Sequence, residues 1–416
     1  MNILFLHHNF PAQFGPVAKH YANIGHKVKF MVEKNFVGKI PNIDCLLIKD
    51  YGEKSLNKKS QLNLQEECAE KFRFGLEELK NTGYYPDVII SHSGWGCGFF
   101  AKSVFPNAYL ISYLEWWFAR NSPDYVYDTN CRWIKYSKNT INKLYLRNRL
   151  LAVELSEADK IICPTKWQLS QAPKWIRNST QIIHEGVDTG FFKPNKIWKA
   201  SNKLILTYTT RGMEPIRGFN NFIEVLPCLI REFPNLEVHI AGEDRVAYGS
   251  SLPKEGSFGR WAKNLLKIEL SEADQERVCF HGRLSLIHYA RLLKTSNVHC
   301  YLTRPFVVSW SLLEAMATGC YCVVTNIEAC SEITGGLAQS VDHRNSDELF
   351  EVLKNSLNQS EDARIQRGLQ LREQVITHWE RGKCLRKWEA LLSIELSTGS
   401  ESLTKASHPQ KNLTKR

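Results

Sequence analysis

A chain of 416 residues exceeds what one core comfortably organises and suits two domains of roughly 200 residues each. Its 43% hydrophobic content and 15 prolines fit a soluble globular protein, and no run reaches the roughly 18 apolar residues needed to span a bilayer. A net charge of +11 and a pI near 9.0 suit an anionic membrane surface or a phosphorylated substrate; the basic residues are spread and carry no recognition motif, which speaks against nucleic acid. The start MNILFLHHNF lacks a basic region followed by a long apolar segment, so the expected location is cytoplasmic. The 12 cysteines show no metal-ligand pairing and read as reduced core thiols, and no metal centre is expected.

The run ILFL at 3–6 predicts a first strand, and HHNFPAQFGPVAKHYANIGHKVKF continues as loop, helix, turn and second strand. A doubly wound domain begins in this way. The loop lacks GxGxxG and offers only Gly15, which argues against a nicotinamide or flavin cofactor; Gly15 either brings backbone N–H groups to an anion or eases a turn. A charged, helical region at 53–83 leads to PDVII and a strand end at Ser91-His92, where His92 is either a ligand contact or a satisfied histidine. The next strand, 108–112, runs into YLEWWF. There Glu115 is a lone carboxylate among aromatics, a setting that raises a carboxyl pKa and suits a general acid or base; packing is the competing use.

Six basic residues interleave with apolar ones over 132–149, as in an ordinary amphipathic helix or one lying on an anionic membrane. ADKIICPT (158–165) and IIHEGVD (182–188) each read as a strand with its exit, and 194–203 reads as the interdomain linker. The second half repeats the alternation. In YTTRGMEPIRGF (208–219) two arginines, Arg211 and Arg217, each precede a glycine between a strand and a helix. Guanidinium groups there form a diphosphate clamp, or are simply two solvated cations. Strands ending in AGED (241–244) and FHGRLS (280–285) follow. Then SWSLLEAMATGC (309–320) forms a helix capped by Ser309 or Ser311, whose amino end would direct N–H groups at an anion. Glu314 in that helix accepts hydrogen bonds from a ribose diol or complements the helix dipole. The tail 397–416, rich in Ser, Thr and Lys, is expected to be disordered.

In order and spacing, these motifs resemble the family 4 glycosyltransferases, and TRGMEPIRGF with YLEWWF resembles a bacterial polysaccharide-type subgroup. The resemblance implies a GT-B fold of two Rossmann-like doubly wound domains facing a central cleft: an acceptor-side domain at 1–193, a nucleotide-sugar domain at 204–375 and a helix at 376–396 crossing back. It implies a retaining, metal-independent transferase that moves sugar from a nucleotide-diphosphate donor to a glycan or lipid-linked acceptor. By resemblance Arg211 and Arg217 hold the diphosphate, Glu314 the ribose, and His281, Gly282 and Arg283 the base. The backbone of Ser309, Ser311, Leu312 and Leu313, with Gly15 and Gly242, would line the donor site. The family's first glutamate falls at Phe306, which puts donor identity and catalytic competence in question, and Glu115 stands where many relatives carry histidine. Alternatives are a non-catalytic nucleotide-sugar binder or assembly partner, and a GT-B-like epimerase or hydrolase.

Overall fold

The computed structural model describes residues 1–33, 38–48, 61–134, 137–194, 203–248 and 251–405. Seven parallel strands, β1 (Asn2–His7), β2 (Lys27–Val32), β3 (Ile43–Leu47), β4 (Val88–His92), β5 (Tyr109–Tyr113), β6 (Lys160–Cys163) and β7 (Thr180–Ile182), form one sheet in the order β3-β2-β1-β4-β5-β6-β7. Six more, β8 (Leu204–Gly212), β9 (Leu236–Glu243), β10 (Val278–Gly282), β11 (Val298–Tyr301), β12 (Tyr321–Thr325) and β13 (Gln339–Val341), form the other in the order β10-β9-β8-β11-β12-β13. In each sheet the strand order reverses beside the first strand of the domain, between β1 and β4 and between β8 and β11. At such a switch point the loops diverge and leave a crevice.

The central strands β1, β4, β5, β11 and β12 are buried along nearly their whole length because both faces are covered, as parallel sheets require. Alternate residues of β1 divide between two cores. Ile3 and Phe5 pack with Phe14, Val17 and Tyr21 on one face; Leu4 and Leu6 pack with Phe72 and Leu76 of the helix Gln61–Asn81 on the other. In the second domain the helix Phe219–Glu232 places Phe219, Phe222, Ile223, Leu226, Leu229 and Ile230 on its core face, each burial contributing roughly 1.5–3 kcal/mol.

The carboxyl-terminal region departs from expectation at two points. The stretch 376–396 is the end of one helix, Glu361–His378, and the start of another, Arg381–Lys405, with the break at Trp379-Glu380. The first helix stays on the second domain; Gly368 sits so close to Gly319 that a Cβ would lie 2.0 Å from its carbonyl oxygen. The second crosses back and buries Trp388, Leu391 and Leu392 in the first domain's core. Backbone bonds from Val187 N to Trp379 O (2.8 Å) and from Arg381 N to Val187 O (3.0 Å) fasten the crossing point. The helix runs to Lys405, past the expected end at 396, and 406–416 lie outside the described residues. Of the linker, 195–202 likewise lie outside them.

The basic stretch 132–149 is not one helix. Its described parts divide between a strap, 119–134, that leaves the first domain, and two helices, Lys138–Leu146 and Asn148–Glu157. On the strap Trp133 packs edge-on against Phe258 and Trp261, and its carbonyl accepts from Ser251 N at 2.7 Å. Buried Arg304 of the second domain donates to the carbonyls of Asp124 (3.1 Å) and Asp128 (3.2 Å), and Arg344 donates to that of Tyr127 (2.7 Å). All 12 cysteines are free; eight are buried, but Cys45, Cys131 and Cys279 are half-buried and Cys228 is exposed, so the expectation of core thiols holds for part of the set.

Candidate active site

The second domain's side of the cleft is built at the ends of β8, β9 and β11. Arg211 lies on β8 itself, which runs on to Gly212, and its exposed side chain makes no hydrogen bond among the described residues. Arg217 differs. It sits in the short turn Pro215–Arg217, is buried, and its Nη1 donates to the carbonyl of Val307 (2.9 Å), the hydroxyl of Thr303 (3.0 Å) and that of Tyr301 (3.4 Å). The rings of Tyr248 and Phe306 cover its guanidinium at 5.5 and 5.8 Å. The expectation of two solvent-presented cations therefore fails for Arg217, because its donors fold inward to hold the 303–307 loop. Tyr248 is brought there by Glu214, a buried carboxylate that accepts from Ala247 N (2.8 Å) and Tyr248 N (2.9 Å).

Ser309 caps the helix Trp310–Thr318, accepting from Ser311 N at 3.1 Å, while its own N–H donates to Tyr301 Oη (2.7 Å). Leu312 and Leu313 point into the core, so only their backbone is available to a ligand. Burial raises the Glu314 carboxyl to about 7, against the lowering effects of Tyr289 and Arg381. Gly242 has φ +153°, and a Cβ would lie 2.4 Å from Thr210 O, so close approach of β8 to β9 by itself requires glycine there. Gly282 (φ +63°) borders open space. Exposed Arg283 donates to Glu243 Oε1 at 3.1 Å. His281 stacks on His239, with ring nitrogens 2.9 Å apart.

The first domain's side is a polar chain. Asn9 N donates to His7 Nδ1 (2.8 Å), so His7 Nε2 carries the proton and donates to Gln13 Oε1 (3.0 Å). Gln13 Nε2 in turn donates to Glu115 Oε1 (2.6 Å). His92 Nδ1 accepts from Gly94 N, which turns His92 Nε2 toward Glu115 Oε2 at 3.4 Å. Burial pushes the Glu115 carboxyl up, but His92, the Gln13 amide and the charge of Arg211 across the cleft outweigh it, so its pKa lies below the ordinary value. The expected raised pKa is thus corrected: donors converge on this carboxylate and keep it ionised. Gly15 opens the helix Gly15–Asn23 in ordinary helical conformation, where a Cβ would meet Pro11 at 2.9 Å; packing alone accounts for this glycine.

Aromatic rings join the two sides. Phe306 meets Trp116 at 4.7 Å and Tyr248 at 5.0 Å, and Trp116 meets Trp167 at 5.5 Å. Beside them Glu332 of the second domain accepts from the N–H groups of Lys166 (2.8 Å) and Trp167 (2.7 Å), capping a first-domain helix across the interface.

Two family models match in tandem: a glycosyl transferase family 4 group over residues 24–192 and glycosyl transferases group 1 over 203–359. The chain is a family 4 GT-B glycosyltransferase. Its fold is that of solved members of this architecture. The sucrose-phosphate synthase of Thermosynechococcus elongatus aligns with TM-score 0.73 and 14% identity over 95% of this chain and 99% of that one. HepE of Anabaena, solved with UDP and glucose, gives 0.67 and 14% over 94% and 99%. WaaG, a glycosyltransferase of lipopolysaccharide biosynthesis, gives 0.64 and 14% over 93% and 98%. No curated protein matches by sequence.

The glycosyltransferase thus sets Arg211 within electrostatic reach of the Glu115–His92 pair, and packs Arg217 and Phe306 into the second-domain wall against Tyr248 and Trp116. Sequence reading missed Gln13, the hub between His7, His92 and Glu115, because a glutamine in a loop carries no motif. It also missed Tyr248 and Glu214, whose pairing across more than thirty positions leaves no periodic trace.

Proposed function

We propose that the enzyme transfers a glycosyl group from a nucleotide-diphosphate sugar to a hydroxyl of a glycan or lipid-linked acceptor, with retention and without a divalent ion at the diphosphate. The observation that carries this reading is Arg211, an exposed guanidinium at the β8 end opposite ionised Glu115. In the transfer the C1–O bond to the diphosphate breaks, the acceptor oxygen bonds to C1 on the same face, and its proton passes to the departing phosphate oxygen. Arg211 and the positive amino end of the helix Trp310–Thr318 stabilise the charge that grows on the leaving group. Glu115, held by Gln13 and His92, accepts a hydrogen bond from the sugar or the acceptor hydroxyl. Glu314 takes the ribose, and the loop at His281, Gly282 and Arg283 borders the base.

The test is turnover with a panel of UDP-, GDP- and ADP-sugars, chosen by the rise in melting temperature each causes. Transfer with retained anomeric configuration, without added Mg²⁺ or Mn²⁺, is expected; inversion or a strict requirement for either ion overturns the scheme. A second reading, a non-catalytic nucleotide-sugar binder, draws on the aromatic cover over Arg217 and on Phe306 in place of the family's carboxylate. Donor binding with no product across glycan and lipid-linked acceptors would favour it.

The proposed setting is surface polysaccharide assembly at the inner face of the cell membrane. No helix among the described residues is long and apolar enough to cross a membrane. The helix Lys138–Leu146, with Leu146 exposed beside Lys143, is the candidate contact for anionic lipid. Cosedimentation with anionic vesicles, lost in Lys143→Glu, is expected.

A further inference from the structure

Apart from the cleft network, the first domain gathers three side chains of metal-ligating type at the carboxyl ends of its strands. His8 follows β1, Glu33 follows β2, and Cys68 lies on the helix Gln61–Asn81. His8 Nδ1 is 2.5 Å from Glu33 Oε2 and 4.0 Å from Cys68 Sγ, and the three donor atoms all lie within 4.8 Å of one another. No other such group occurs among the described residues. Each ligand comes from a different element, so their meeting is a product of the tertiary fold and not of helical spacing.

Two neighbours fix the group. The Trp95 ring stacks on the His8 imidazole at 4.9 Å and 15°, and Lys71 Nζ holds the other oxygen of Glu33 at 2.9 Å, leaving Oε2 toward His8. Ligating carboxylates commonly have such an outer partner. With zinc bonds of about 2.0–2.3 Å, a tetrahedral site sets donor atoms roughly 3.3–3.8 Å apart, so the His8–Glu33 and His8–Cys68 spacings each need to change by less than about 1 Å.

We propose that His8 Nδ1, Glu33 Oε2 and Cys68 Sγ form a three-ligand zinc site. One imidazole, one thiolate and one carboxylate favour zinc over magnesium or calcium, which prefer all-oxygen shells. Three protein ligands leave one coordination position. Zinc entry releases the thiol proton of Cys68 and the proton shared by His8 and Glu33. One Zn²⁺ thus replaces two protons, and the net charge beside Lys71 is unchanged. The ion ties the loops after β1 and β2 to the long helix, one residue from His7 in the cleft network. This site is independent of the transfer reaction proposed above and stands or falls on metal binding.

The experiment is titration of the chelator-dialysed full chain with Zn²⁺ against a chromophoric competitor, alongside Co²⁺ absorption. Expected are one equivalent of tightly bound zinc, a rise in melting temperature with zinc, and a thiolate-to-cobalt charge-transfer band. Cys68→Ser should abolish the band, and Cys68→Ser and His8→Gln should each weaken zinc by at least about tenfold to a hundredfold, with circular dichroism confirming the fold. Absence of the band in the wild-type chain overturns the site whatever the variants do. Stoichiometric zinc that survives both substitutions overturns it as well.

Discussion

The two walls of the cleft hold charge by opposite means. On the first-domain wall a carboxylate, Glu115, stays ionised and about one-third exposed because two side-chain donors, Gln13 and His92, converge on it. On the second-domain wall a guanidinium, Arg217, is buried, spends Nη1 on its own loop and lies under aromatic rings, while Arg211 six residues earlier is left in the open. Two arginines of one motif thus divide into a solvent-facing group and a scaffold-facing one. A cationic motif in sequence does not say which of its members meets solvent.

The sharpest way to test that division is to remove each arginine in turn. Arg211→Ala should lower kcat/KM about a hundredfold to a thousandfold with an unchanged melting temperature. A lowered melting temperature with normal turnover would reverse the assignment. Behind the first wall, buried Glu154 accepts from Ser91 (2.9 Å) and burial raises its pKa to about 7. A folded pKa above the unfolded value of 4.5 means the folded state holds the extra proton. The stability that proton brings is therefore present in acid and lost as pH rises from about 4.5 through 7. Glu154→Gln should remove that slope and stabilise the protein by up to about 3 kcal/mol at pH 8 relative to pH 4, read from denaturant melts. A parallel pH dependence in both proteins would refute it.

Arg217→Ala should cost about 2–3 kcal/mol of stability through unsatisfied acceptors at Val307 and Thr303, and its loss of turnover should follow that unfolding. The smallest effect is Gln13→Ala: removing one hydrogen bond to the Glu115 carboxylate should lower kcat about tenfold and move the acid limb of the pH–rate profile upward. Gln13→Glu, which cannot donate when ionised, should behave worse than Gln13→Ala; equal behaviour would assign Gln13 to packing.

Local signals made much of this architecture legible. Apolar runs flanked by glycine marked the central strands, and the order of motifs along the chain pointed to two doubly wound halves. The edge strands β3 and β13 escaped notice because they are short and only partly buried, so no continuous apolar run marks them. Arg211 and Glu115 were legible as charges at strand ends. Their states were not, since the pKa of Glu115 depends on Gln13, a residue about a hundred positions away. The strap was misread because 132–149 has helical periodicity over part of its length, while Trp133 answers to partners in the other domain.

That strap has a mechanical consequence. A two-domain enzyme joined only by a linker and a returning helix can open like a book about one edge. Here the span 119–134 adds a further attachment, with Trp133 seated among second-domain rings and two carbonyls held by Arg304. Opening that carries the strap away from the second domain would have to draw Trp133 out from between Phe258 and Trp261 and break the Arg304 bonds.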